Sequence, residues 1–280
     1  MTAGMQTVTG FRSRPPVRSQ IRVLTTHLLR GQVVSIFVWG LALGAYNVLV
    51  VLSYPAFKNN IAQELSHLPP SARALFGVQG NGATIESWLA INTFNLIAPL
   101  ALAFFPMVIG ARSVAGREER QGMDLLLGNP LPRWVLVVSS GLTVGIGLLG
   151  ILVPFGLLTW WSTILIGVHL PIARAGAAVL NLWPLCLWFG TLALLCSSLV
   201  RRSSLAIAIP GAVLLAMYVG EALGSTNPGV RFLRSVSLFH YYGSAIEHGM
   251  PWVSFLGISL LAVALAVLAA LAFALRDVYT

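Results

Sequence analysis

Six long runs of apolar residues alternate with shorter polar segments along the chain. They lie near residues 33–54, 88–111, 134–161, 175–200, 203–223 and 252–275. Each run has the roughly 20 residues that a helix needs to cross a hydrocarbon core about 30 Å thick. None shows the alternation of a barrel strand, and a lone lipid-facing strand would leave its backbone groups unpaired. The pattern therefore predicts an all-α integral membrane protein with six transmembrane helices.

The composition supports a membrane protein. Of the 280 residues, 57% are hydrophobic and 9% are charged, whereas about 25% of the residues in a soluble domain are charged. The net charge of +9 comes from sixteen arginines and one lysine. These residues are scattered among the apolar runs and form no single basic face, which argues against a nucleic-acid partner.

A different pattern precedes the first run. Residues 1–16 are polar and contain Pro15-Pro16, which predicts a loosely held tail. In residues 17–30, apolar side chains recur every three or four positions while arginines lie elsewhere on the turn. This spacing predicts an amphipathic helix at the membrane surface, although an ordinary start to the first span fits as well. We therefore divide the chain into residues 1–31, the tail and amphipathic helix, and residues 32–280, the transmembrane domain.

The positive charges predict the orientation of the spans. If the N-terminus is cytoplasmic, twelve of the seventeen basic residues lie on the cytoplasmic side. The positive-inside rule then places both termini in the cytoplasm. Residues 112–133 become a cytoplasmic loop, and residues 55–87 and 224–251 become external loops. The apolar loop 224–251 is expected either to dip back toward the membrane or to pack on the tops of the spans.

The chain carries no recognisable catalytic or metal site. A phosphate-binding loop needs a lysine after a Gly-rich turn, and the only lysine, Lys58, follows Phe57. There is no G-x-S-x-G motif. Cys186 and Cys196 lie ten positions apart in one apolar run, about 15 Å along a helix, which is too far for a disulfide. The histidines are dispersed and form no i, i+4 pair: His27, His67, His169, His240 and His248. We expect no enzyme activity, no metal and no cofactor in this chain.

Polar and kinked positions inside the spans are candidates for a substrate pathway. Polar side chains at such depth face the protein interior or water, and proline removes a helical hydrogen bond. The candidate pathway residues are Asn47, Asn92, Asn95 and Pro99; ordinary hydrogen bonds between helices are the alternative. Gly40 and Gly44 form a small-residue pair, a candidate for close helix packing within the chain or between subunits.

The loop between the second and third spans is unusually polar for this chain. Within residues 116–133, residues 117–127 fit a short helix that Gly128-Asn129-Pro130 ends. Met123, Leu126 and Leu127 cluster on one side of this helix. Lipid, the rest of the chain or a partner must cover these side chains.

This loop resembles the first cytoplasmic loop of type-2 ATP-binding-cassette (ABC) exporter permeases. The resemblance rests on Glu119, Gly122, Asp124, Leu126, Leu127, Pro130 and Arg133, and it extends to Trp39, to Tyr54-Pro55-Ala56-Phe57 and to the ending Phe273–Val278. Two departures occur: Met123 stands where Thr is usual, and Leu131-Pro132 where Val-Ser is usual.

The resemblance implies a function and a set of partners. In that family the loop forms a coupling helix that docks on a separate nucleotide-binding ATPase, which binds ATP and Mg. Two permease chains, identical or different, work with two ATPase chains in the plasma membrane. The implied function is export of a hydrophobic or amphipathic substrate (a drug, an antibiotic, a lipid or a peptide) by alternating access. The implied docking residues are Glu119, Arg120, Gly122, Met123, Asp124, Leu126, Leu127, Pro130 and Arg133.

One alternative needs no ATPase. The chain would then be a stand-alone membrane carrier, or an antibiotic or bacteriocin immunity protein. An ion-coupled carrier usually places a carboxylate in a span, and only Glu221 lies near a span end.

Overall fold

The structure is a computed structural model, and it describes residues 16–58, 67, 69, 72–73, 84–116 and 132–275. Within these ranges the chain is almost entirely helical and contains no strand. Six helices are long and apolar enough to cross a membrane. This confirms the predicted fold class.

The helical bounds lie close to the predicted runs. The first span is α1 (Val17–Phe57). The second consists of α2 (Ile85–Leu89), a π-helical turn (Ala90–Phe94) and α3 (Ile97–Ser113). The others are α4 (Arg133–Leu165), α5 (Ile172–Leu199), α6 (Ser203–Thr226) and α10 (Trp252–Leu275).

The first span, α1, is one helix of 41 residues. A continuous start to the first span, one of the two possibilities for residues 17–30, fits this helix, and the position of these residues at the membrane surface stays a prediction. The helix is about 60 Å long, twice the thickness of a hydrocarbon core. Gly31 does not interrupt it, because a single glycine costs a helix only about 1 kcal/mol. The apolar side of residues 17–30 is half-buried and the arginines are exposed, so the amphipathic pattern is present within a continuous helix.

The bundle has two ends, which we name by their chain connections. At the proximal end α3 stops at Ser113 and α4 starts at Arg133. At the distal end α1 stops at Phe57 and α2 starts at Ile85. The most buried span is α5, which contacts α3, α4, α6 and α10, and α1 runs parallel to α4 along its side.

Glycines set the contact between α1 and α4. A Cβ atom on Gly40 would lie 2.5 Å from Pro154 Cγ and 3.0 Å from the Ile151 carbonyl oxygen. A Cβ atom on Gly44 would collide with Leu158. The structure therefore shows a close contact of Gly40 and Gly44 within the chain, and packing of this pair between subunits stays a prediction.

The distal loop after α6 is folded. It forms a 3₁₀ turn (Pro228–Val230), α7 (Arg231–Val236), α8 (Leu238–Tyr242) and α9 (Ala245–His248). Phe239 and Tyr242 join the core of the bundle, while Phe232 is 65% exposed. α8 packs among the spans, where Phe239 contacts Phe189 of α5 and Tyr218 of α6. The position of this loop relative to the membrane stays a prediction.

We predict that Gly40→Ala destabilises the protein, whereas Gly31→Ala in the same helix does not. The Pro154 ring and the Ile151 carbonyl are rigid, so the added methyl group forces the helices apart and costs about 1–3 kcal/mol. A Cβ atom on Gly31 meets nothing within 4 Å. Thermal unfolding of the two variants in detergent measures the difference, and equal midpoints would contradict it.

Candidate functional site

The structure describes both ends of the predicted docking loop. Residues 117–131 lie outside the described residues, so the positions of Glu119, Arg120, Gly122, Met123, Asp124, Leu126, Leu127 and Pro130 stay predictions. Arg133 is described only as the first residue of α4. The described ends, residues 113–116 and 132–137, show how the loop joins the bundle.

Ser197 on α5 holds the residues that lead into the loop. Its hydroxyl donates a hydrogen bond to the Ala111 carbonyl at 2.8 Å. The same oxygen accepts hydrogen bonds from the backbone N–H groups of Val114, at 3.2 Å, and Ala115, at 2.9 Å. Backbone groups at a helix end have no intrahelical partner, and one fully buried hydroxyl satisfies three of them here.

A small apolar cluster surrounds this junction. Val114 from the end of α3 packs with Val137 from α4, Leu194 from α5, and Ala269 and Phe273 from α10. All five side chains are buried. The two ends of the loop therefore meet two further spans, α5 and α10, at one packed point.

A second polar group lies in the distal half of the bundle. Thr93 in the π-helical turn donates to Asn47 Oδ1 at 2.7 Å, and Asn47 Nδ2 donates to Thr159 on α4. Thr159 in turn donates to the Phe155 carbonyl at 2.8 Å. All three polar side chains are fully buried. Asn47 thus joins three spans by hydrogen bonds between helices, and its role in a substrate pathway stays a prediction.

The other predicted pathway residues lie around the π-helical turn. Asn92 is half-buried. Its side-chain amide donates to the Trp88 backbone carbonyl at 3.0 Å, and its backbone carbonyl accepts from the Tyr46 hydroxyl at 2.9 Å. The Asn95 N–H donates to the Ala90 carbonyl. Pro99 is the third residue of α3, where an N–H would have no helical acceptor. The irregular backbone precedes Pro99, and a pathway lined by these residues stays a prediction.

The distal loop completes the hydrogen bonds of this irregular turn. The Tyr242 hydroxyl donates to the Phe94 carbonyl at 3.2 Å, and Asn181 Nδ2 donates to the Tyr242 carbonyl at 2.8 Å. Burial, with a smaller contribution from Cys186, raises the pKa of the Tyr242 phenol above its ordinary value. The phenol therefore keeps its proton at physiological pH and remains a donor.

Sequence reasoning missed several residues that make buried polar contacts. Ser197, Thr93, Thr159 and Asn181 were not singled out. The available signal was their position as hydroxyl or amide groups inside apolar runs, which implies buried partners.

The carboxylates that the structure describes are all engaged at the distal end. Glu221 accepts from Arg234 Nε at 3.1 Å, with His240 Nδ1 at 3.7 Å. Glu247 accepts from the Ser87 hydroxyl at 2.7 Å, and Glu86 lies 3.4 Å from Arg174. Glu221 thus belongs to a partly exposed ion pair between α6 and the distal loop. No group of three potential metal ligands occurs among the described residues.

These features define a multi-pass membrane domain with an anchored loop at one end. The chain matches the model of the ABC-2 family of transporter proteins over residues 39–278. The match covers far more than half of the chain, so the chain belongs to this family. Members of this family are the membrane components of ABC transporters, which typically work with an ATPase subunit, and are not themselves the ATPase. A search of curated proteins found no match.

We predict that Ser197→Ala loosens the end of α3. Loss of the hydroxyl removes the acceptor of the Val114 and Ala115 N–H groups, at a cost of about 1–3 kcal/mol. Hydrogen exchange at these two amides should therefore rise about tenfold or more. Ser162→Ala is the matched control, because Ser162 is equally buried and bonds only to Thr159 in its own helix. Unchanged protection of residues 114–115 would refute the role of Ser197.

Proposed function

We propose that this chain is the permease subunit of an ATP-driven exporter, and that its loop 112–133 docks on a separate ATPase. The observation that carries the proposal is the junction around Ser197. A loop that only links two spans needs no such attachment, whereas a loop that receives force from a partner needs one.

The proposed docking surface is the apolar side of the loop. Met123, Leu126 and Leu127 lie on one face of the helix that the sequence predicts there. Apolar side chains of this kind supply most of the binding energy when they enter a pocket on a partner. Arg120 and Asp124 would flank the contact, and Pro130 and Arg133 would fix the return into α4.

The proposed transport step is a rigid movement of the loop ends. ATP binding closes the ATPase pair and displaces the docked loops. Because α3, α4, α5 and α10 meet at the packed point next to Ser197, the displacement reaches four spans together. Access to the pathway then changes from one side of the membrane to the other.

The proposed orientation places the proximal end in the cytoplasm. Arg112, Arg201 and Arg202 lie at this end, together with the N-terminal half of α1. Cytoplasmic segments are richer in arginine. This orientation puts the docking loop where ATP is available and the helices α7–α9 on the outside.

The proposed assembly contains two permease chains. Exposed apolar side chains run along α1 and α6, including Val34, Phe37, Leu215 and Val219. Lipid or a second chain covers such faces in a bilayer. A paired permease would enclose the pathway for a hydrophobic or amphipathic substrate between its subunits.

We predict that Met123→Asp or Leu126→Asp abolishes ATPase docking. A charge that replaces an apolar anchor leaves an unpaired group in the contact and costs several kcal/mol. Met123→Leu keeps volume and polarity and serves as the control. The measurements are co-purification with the ATPase from membranes and export by cells that express both chains.

Two results would count against the proposal. Unchanged assembly and export in both aspartate variants would remove the docking claim. Transport that persists without any ATPase and is lost in Glu221→Gln would favour the stand-alone carrier instead.

A further inference from the structure

A cavity of about 340 Å³ lies between α1, α3 and α4 in the proximal half of the bundle. Its volume falls in the range of small-molecule sites, roughly 300–1,000 Å³. Its proximal end adjoins the Ser197 junction, because Arg112 and Ser113 lie between Ala111 and Val114. The polar group around Asn47 does not line it. Nothing described so far assigns it a role.

The cavity changes in polarity from one end to the other. At its proximal end it is lined by Arg112, Ser113 and Ser140. Eight residues further along α3, about 12 Å toward the distal end, it is lined by Phe104 and Phe105. Trp39 of α1 lines the cavity as well, and it lies 11 residues distal to Leu28 on the same wall. The cavity therefore has a cationic, hydroxyl-rich end and an aromatic end.

The cation at the proximal end lacks a described counter-charge. The three carboxylates that the structure describes, Glu86, Glu221 and Glu247, all lie at the opposite end of the bundle and have partners there. None of the ion pairs found in the described ranges includes Arg112. A guanidinium is always protonated, and its planar fork of donors matches a carboxylate or a phosphate.

We propose that this cavity binds an amphipathic molecule with one anionic head group, with Arg112 at the head and Trp39, Phe104 and Phe105 around the apolar tail. Gln32 and Ser35 of α1 line the cavity between Leu28 and Trp39 and offer polar contacts between the head group and the apolar tail. The head can belong to a membrane lipid or to a separate amphiphile, because carboxylate and phosphate share the chemistry that Arg112 recognises. The binding is a property of this chain and does not depend on the ATPase.

The test uses the full-length chain in nanodiscs of phosphatidylcholine, with dansyl-undecanoic acid as the fluorescent probe. We expect saturable binding, which unlabelled dodecanoic acid displaces more strongly than dodecanol of the same tail length. Arg112→Gln should weaken probe binding about tenfold, which corresponds to about 1.4 kcal/mol. Arg201→Gln, an exposed arginine at the same end of the bundle, should bind like the unaltered chain.

Two additional arms locate the tail and the source of the head group. Phe104→Ala should weaken displacement by the acid and by the alcohol equally, because it removes only a tail contact. If a membrane lipid is the natural occupant, phosphatidylglycerol added to the nanodiscs should compete with the probe for the cavity. If phosphatidylglycerol does not compete while probe binding still depends on Arg112, the natural occupant is a separate amphiphile.

The outcomes that overturn the proposal are specific. If the Arg112→Gln and Arg201→Gln variants bind the probe equally well, Arg112 does not bind the head group. Equal displacement by dodecanoic acid and dodecanol would show that the site does not recognise an anion. This second measurement uses the unaltered chain, so it decides the matter even if Arg112→Gln does not fold.

Discussion

A hydrocarbon core offers no hydrogen-bonding partner, so polar groups in the spans depend on the chain itself. This constraint explains the two best-defined contact points of the bundle. Asn47 is satisfied only where α1, the π-helical turn and α4 meet, and the end of α3 is satisfied only against Ser197. Apolar contacts alone select helix register weakly in lipid. Asn47 and Ser197 therefore help to fix how the apolar helices align.

The sequence predicted the parts of this fold that depend on length and composition. Six apolar runs gave six spans, and the last run matches α10 residue for residue. The continuity of α1 was not predictable from Gly31, because packing against α4 outweighs a small local preference. The hydrogen-bond partners were also hidden, since Asn47 lies 46 residues from Thr93 and 112 from Thr159. Such pairings follow from tertiary packing, which periodicity does not report.

The two ends of the bundle differ in construction. At the distal end, α8 and α9 pack on the spans. Hydrogen bonds of Tyr242 and Asn181 and the Glu221–Arg234 ion pair attach the loop to the spans. At the proximal end, the spans meet at the Ser197 junction and enclose a cavity with a cationic rim. A movement imposed at the proximal end therefore acts on spans that are braced at their opposite ends. This asymmetry supports the proposal that an ATPase acts on the permease from one side.

The fit of Gly40 against Pro154 has a mechanical consequence. Gly40 of α1 packs directly against the rigid ring of Pro154 of α4, at a distance that leaves no room for a methyl group. This contact opposes sliding of α1 along α4 at this point. Parallel helices that cannot slide bend and tilt together, as two laminated strips are stiffer than either strip alone. A tilt of α4 would therefore be shared by α1 along their common length, including the N-terminal turns of α1, which line a groove with Leu142 and Ile146 of α4.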